Sequence, residues 1–194
     1  MDFSYQGQTY SYGAFDYHTS RLWGTVDDGV LIVADRNKFL KHGNVFKEAV
    51  IVNYGLILNA EQKSIIESRI AELLSRTKRF YSDAELDEQK GQMASNYDSY
   101  LANVYLSTRA KTYKFTHGKF KTYFVMSTNC VNLASYVLQM KNLDVINIIG
   151  FIPPGTYLNY LNNEYLSHSK IVVSRYVYGL EPNEKLSNKT VSAN

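Results

Sequence analysis

Cysteine is nearly missing from this chain of 194 residues: Cys130 is the one present. A single thiol excludes an internal disulfide framework and any Cys-rich zinc site. Proline is scarce as well, with three residues beside eleven glycines. Long apolar runs are missing. The most apolar stretches, Gly29–Ala34 and Val145–Ile152, are too short for a membrane helix or are interrupted by Asn147. The opening segment Met1–Tyr12 is polar and has no apolar region of the kind a signal peptide needs. No Gly-x-Gly-x-x-Gly, P-loop or His-Glu-x-x-His pattern occurs, so no cofactor and no metal are expected.

An excess of one charge is missing too. With 21 basic and 18 acidic residues the net charge is +3, too mild to expect a nucleic-acid partner. The basic clusters Arg76–Arg79 and Lys111–Lys121 read as solvated faces. Asp27, Asp28 and Asp35 read as turn formers rather than a cation site. Asp83, Glu85, Asp87 and Glu88 read as a solvated helix face.

What the chain does have is apolar and aromatic surface. It is 45% hydrophobic, with 17 Tyr among 27 aromatics, too much to leave disordered. Tyrosine stacks like an apolar ring and keeps a polar tip, which suits rims, grooves and half-buried strands. The length fits one domain with a real core. We expect that domain over residues 1–180, and a polar, frayed tail over 181–194.

The first sixty residues read as extended: Phe3–Tyr12, Gly29–Ala34 and Ala49–Leu58, with a turn at Asp27-Asp28-Gly29. A helix follows, capped by Asn59 with Gln62 three residues on. Ile65, Ile66, Ile70, Leu73 and Leu74 recur at helical period, and Arg76, Lys78 and Arg79 favour its C-terminal end. Ser82–Gln92 is a polar helix, and Tyr97–Leu106 a helix or a loop. Lys111–Thr116 and Lys119–Val125, joined by His117-Gly118, read as a hairpin. Thr128–Gln139 reads as another helix. A short helix begins at Pro154, and Lys170–Tyr178 is a last strand. The order predicts an α+β domain with an antiparallel sheet that includes Lys170–Tyr178.

Cys130 falls in the first turn of the Thr128–Gln139 helix, directly after a strand. Unpaired N–H groups and the positive end of a helix dipole favour a thiolate there, the nucleophilic form. The N–H groups around Asn129 and Val131 also suit an oxyanion. Asn129 itself reads as the helix cap. The competing reading is a small buried hydrophobe. Two histidines are candidate bases. They are His18, near the start of the chain, and His168, before the last strand. His42, beside Gly43, reads as a loop residue and His117 as part of a turn.

Two blocks, "YFVMSTNCVNLASYVL" at Tyr123–Leu138 and "GFIPPGTYLNY" at Gly150–Tyr160, resemble the nucleophile region of permuted NlpC-type, papain-like cysteine hydrolases. "TYSYGAFD" at Thr9–Asp16 and "DGVLIVADRNK" at Asp28–Lys38 resemble the leading strands of the same group. The resemblance looks closest to type VI secretion effectors of bacteria. It implies a papain-like antiparallel sheet packed on a Cys-bearing helix and a helical middle segment. It implies an amidase or peptidase acting through a thioester to Cys130, on peptidoglycan or on a host protein. It implies a virulence effector that leaves the bacterial cytoplasm without a signal peptide. A secretion-tube or delivery protein would be its partner, with no membrane insertion. The family's catalytic His falls at Met1 or just before it, where this chain has Met. His18 then becomes the substitute base, with Asp16 or Ser11 to orient it. The alternative is an effector that keeps the scaffold and acts by binding protein in the recipient cell.

Overall fold

The apolar run at Val30–Ala34 sits at the centre of the fold, buried on both faces. The computed structural model describes residues 1–19, 26–47, 50–92, 94, 96–138, 154–168 and 170–179. In it the run forms strand β4 (Val30–Asp35), with Val30, Leu31, Ile32 and Ala34 all buried. Successive side chains of a strand point to opposite faces. Leu31 therefore joins one core with Phe3, Tyr12, Ile66, Ile70 and Leu73, while Val30 and Ile32 join another with Phe39, Leu101 and Val104.

Around β4 the chain builds a five-stranded antiparallel sheet in the order β1-β2-β4-β7-β6. Its other members are β1 (Asp2–Tyr5), β2 (Gln8–Gly13), β6 (Thr77–Phe80) and β7 (Lys111–Phe115). Two antiparallel pairs complete the strands: β3 (Val26–Asp28) with β8 (Thr122–Phe124), and β5 (Ile51–Leu56) with β9 (Val172–Tyr178). The described helices are α1 (Arg36–Lys47), α2 (Ala60–Ser75), α3 (Asp83–Lys90), α4 (Tyr100–Thr108), α5 (Cys130–Leu138) and α6 (Pro154–Leu166). The fold is thus α+β with antiparallel sheets, as the pattern of elements predicts. None of the described helices is long and apolar enough to cross a membrane.

Helix α2 forms as read. The Asn59 side chain accepts from Gln62 N at 2.8 Å, and the Gln62 side chain accepts from Asn59 N at 2.8 Å. Ile66, Ile70 and Leu73 are its buried stripe. Ser82 caps α3 and Ser99 caps α4, which makes Tyr97–Leu106 a loop running into a helix.

Several expectations fail, each for a physical reason. The first sixty residues are not all extended. Asp35 Oδ1 accepts from Lys38 N at 3.0 Å, and the chain turns into α1. His42 is consequently a buried helical residue, not part of a loop. Asp27-Asp28-Gly29 makes no turn. Asp27 and Asp28 belong to β3, and Gly29 N donates to Lys121 O at 2.9 Å. A Cβ on Gly29 would overlap the Phe120 carbonyl oxygen and the Tyr12 hydroxyl, so only glycine lets the strands pass so closely.

The hairpin over Lys111–Val125 is also corrected. β7 lies between β4 and β6, while β8 pairs with β3 in another sheet. Lys78 and Arg79 sit in β6 rather than at the end of α2. The last strand pairs with β5 and stays outside the main sheet. Glu85 is buried against Arg79, not part of a solvated face. The tail at 181–194 lies outside the described residues.

Candidate functional site

Cys130 is the first residue of α5 and is half-buried. The turn before it is held from three sides. Thr128 Oγ1 donates to Thr122 O at 2.7 Å, Thr128 N donates to Phe124 O at 2.8 Å, and Asn129 Nδ2 donates to Val125 O at 2.9 Å. Asn129, 3% exposed, also accepts from Asn132 N at 3.1 Å through Oδ1, so it caps the helix as expected. Val131 is fully buried and anchors the first turn in the core. The helix packs on β1, β2 and α2.

The start of β1 reaches this turn. Met1 N lies 3.2 Å from Cys130 Sγ and donates to it. Tyr12 and Tyr123 stand beside the sulfur, their rings 5.6 Å apart. Burial raises the pKa of both phenols, and the Cys130 thiol raises both further. The Tyr12 hydroxyl donates to Phe120 O at 2.9 Å.

Cys130 opens onto a cleft of about 1410 Å³. β1 and β5 line it along their length, and α1, α2 and α6 contribute Leu40, Ile66 and Tyr157. Tyr157 is the fourth residue of α6, which starts at Pro154 as the sequence predicts but runs thirteen residues and is not short. The Tyr157 hydroxyl is buried with no hydrogen-bond partner among the described residues.

The histidines fall elsewhere. His18 is exposed on a short 3₁₀ turn and lines a separate small cleft with Asp16, Phe80 and Ser82. Asp16 is buried and forms an ion pair with Lys114, and its Oδ1 accepts from His18 N at 3.1 Å. Asp16 therefore holds the backbone of His18. Ser11 is buried and lines the large cleft. His168 is exposed just after α6, with a left-handed φ of 57°. His42, which sequence reasoning set aside, is the histidine among the described residues lining the large cleft. Its Nδ1 lies 2.7 Å from Ser107 Oγ. No group of three or more acidic, His or Cys side chains able to hold a metal occurs among the described residues.

The sequence flagged Cys130 but missed the aromatic lining of its cleft. The signal was present in the tyrosine count, without positions attached. No family model matches the chain, and neither does any curated protein or solved structure.

Proposed function

We propose that this protein is a bacterial effector on a papain-like cysteine hydrolase scaffold, with Cys130 as the nucleophile that cleaves an amide. One observation carries the reading. The resemblance assigns the catalytic imidazole to Met1 or just before it, and Met1 N, next to the first residue of β1, donates to Cys130 Sγ at 3.2 Å. The sulfur also stands at a helix start on the wall of a large cleft.

The chemistry is acyl transfer. The Cys130 thiolate attacks the amide carbonyl carbon, and the oxyanion draws on N–H donors around residues 129–131. The C–N bond breaks, the leaving amine takes up from solvent a proton equivalent to the one the thiol released on ionising, and a thioester to Cys130 remains. Water then hydrolyses that thioester and regenerates the thiol. The effector role, delivery by a secretion-tube protein and export without a signal peptide belong to the same proposal and rest on the resemblance.

A second reading is favoured by the position of the histidines. His18 lines another cleft and Asp16 is tied to Lys114. An effector that binds its target without cleaving it needs neither.

Alkylation separates the two readings. The hydrolase reading expects native Cys130 to react with iodoacetamide at pH 6.5 faster than a free model thiol. It expects Cys130→Ala to abolish hydrolysis while the circular dichroism spectrum stays unchanged. The binding reading expects Cys130→Ala to leave the effect on recipient cells intact. If the thiol labels only after denaturation, Cys130 is a core residue and the hydrolase reading is lost.

A further inference from the structure

Strand β1 is an edge: β2 covers one side of it, and no described strand covers the other. The turn at Gln6-Gly7, with φ of 48° and 76°, decides which backbone groups are left over. Tyr5 and Gln8 close this two-residue turn, so they exchange hydrogen bonds, as do Phe3 and Tyr10 two residues further on. The N–H and C=O groups of Asp2 and Ser4 then point away from β2. Both residues are exposed. An open edge of this kind is a template for another strand.

The second wall of the cleft is also a strand with one neighbour. β5 pairs with β9 alone among the described strands, and Val50–Leu58 lines the same cleft as Met1–Gln6. Cys130 stands at the Met1 end.

The lining selects among ligands. Its charged side chains among the described residues are few, Asp2, Arg36 and Lys63, a net of +1. Phe3, Leu56, Leu58 and Leu161 make much of the wall apolar. Two buried lining atoms, Asn53 Nδ2 and Tyr157 Oη, have no hydrogen-bond partner among the described residues. A glycan carries no row of alternating N–H and C=O groups to pair with the open β1 edge. A peptide rich in carboxylates would find two cations and one opposing carboxylate. An uncharged extended peptide fits both walls: its main chain repeats N–H and C=O every second residue, and its side chains are apolar.

Resting on the proposed amide hydrolysis, we infer that the substrate is an apolar, uncharged stretch of polypeptide. It docks as an added strand on the β1 edge, and this carries its scissile carbonyl to Cys130 Sγ. Peptidoglycan is the disfavoured target and a protein segment the favoured one.

The test uses full-length protein carrying Cys130→Ala, which binds without cleaving. The probe is a capped, fluorescein-labelled peptide of eight residues built from Val, Tyr, Ser and Gly, read by fluorescence anisotropy. Two further versions carry N-methyl groups on alternate amides, one for each register. Strand addition expects one register to lose roughly tenfold or more in affinity and the other to keep it. Ser4→Pro removes an outward N–H and should weaken the unmodified peptide to a similar degree. If that variant misfolds, the N-methyl pair decides alone. Equal behaviour of the two registers, no binding of the peptide, or tighter binding of a disaccharide-tetrapeptide overturns the inference. Register-dependent binding without cleavage by the Cys130 protein would keep the docking mode and remove the hydrolase reading. Cleavage with no register dependence would do the reverse.

Discussion

Glu85 lies in the first turn of α3 with one carboxylate oxygen 2.5 Å from Arg79 Nη2. The other oxygen is buried with no hydrogen-bond partner among the described residues. Burial pushes its pKa above the usual carboxylate range, and Arg79 opposes this only in part. A carboxyl with a raised folded-state pKa binds its proton more tightly when folded. Its contribution to stability is therefore greatest in acid and is lost as pH rises through that raised pKa. Melting temperatures of wild type and Glu85→Gln between pH 4 and pH 7 should show this. The wild type should lose ground to the variant as pH rises, and a difference that stays flat or grows the other way would sink the argument. None of this was legible in the sequence, where Glu85 is one acid among four in a polar helix. What buries it is Arg79 from β6, which also donates to Thr112 O at 2.7 Å. Cys130 was legible because its helix start is local. The partner of Asp16 was not, since Lys114 lies 98 residues away.

At the scale of elements, the same division between local and distant information recurs. The capping box of α2 is written in four consecutive residues and is reproduced bond for bond. Asn59→Ala should cost about 1 kcal/mol, because it removes the acceptor for Gln62 N. Thermal unfolding should show a fall of a few degrees, and no fall would mean that water or a neighbour replaces the cap. Asn59→Asp should hold most of the stability. The failed hairpin shows the limit. Alternation in Lys111–Phe115 correctly marks a strand, but it names no partner. β7 is flanked by β4 and β6, so its pairing was decided by strands read separately. Helix α1 escaped because its interior holds Gly43 and few apolar residues, so its buried members Phe39 and His42 make a weak stripe.

For the molecule as a whole, β4 divides and joins two cores. Leu31 is 1% exposed in one and Ile32 is fully buried in the other, on adjacent positions of one strand. Leu31→Ala and Ile32→Ala should each cost about 2–5 kcal/mol. That is a large share of the roughly 5–15 kcal/mol typical of a domain. The consequence depends on how the cores are coupled. β4 is hydrogen-bonded on both sides, to β2 and to β7, so neither core can come apart without breaking the sheet that the other needs. Urea unfolding of either variant, followed by far-ultraviolet circular dichroism and by tyrosine fluorescence, should then show one transition. Its midpoint should be lower than in the wild type, with an unchanged slope and with both probes coincident. A plateau in one variant, or probes that separate, would mean that the two faces unfold independently. The cleft walls would then belong to different folding units: β1 and α2 draw on the core around Leu31, whereas the Phe39 face of α1 draws on the core around Ile32. A single transition ties the position of Cys130 against β1 to the integrity of both cores at once.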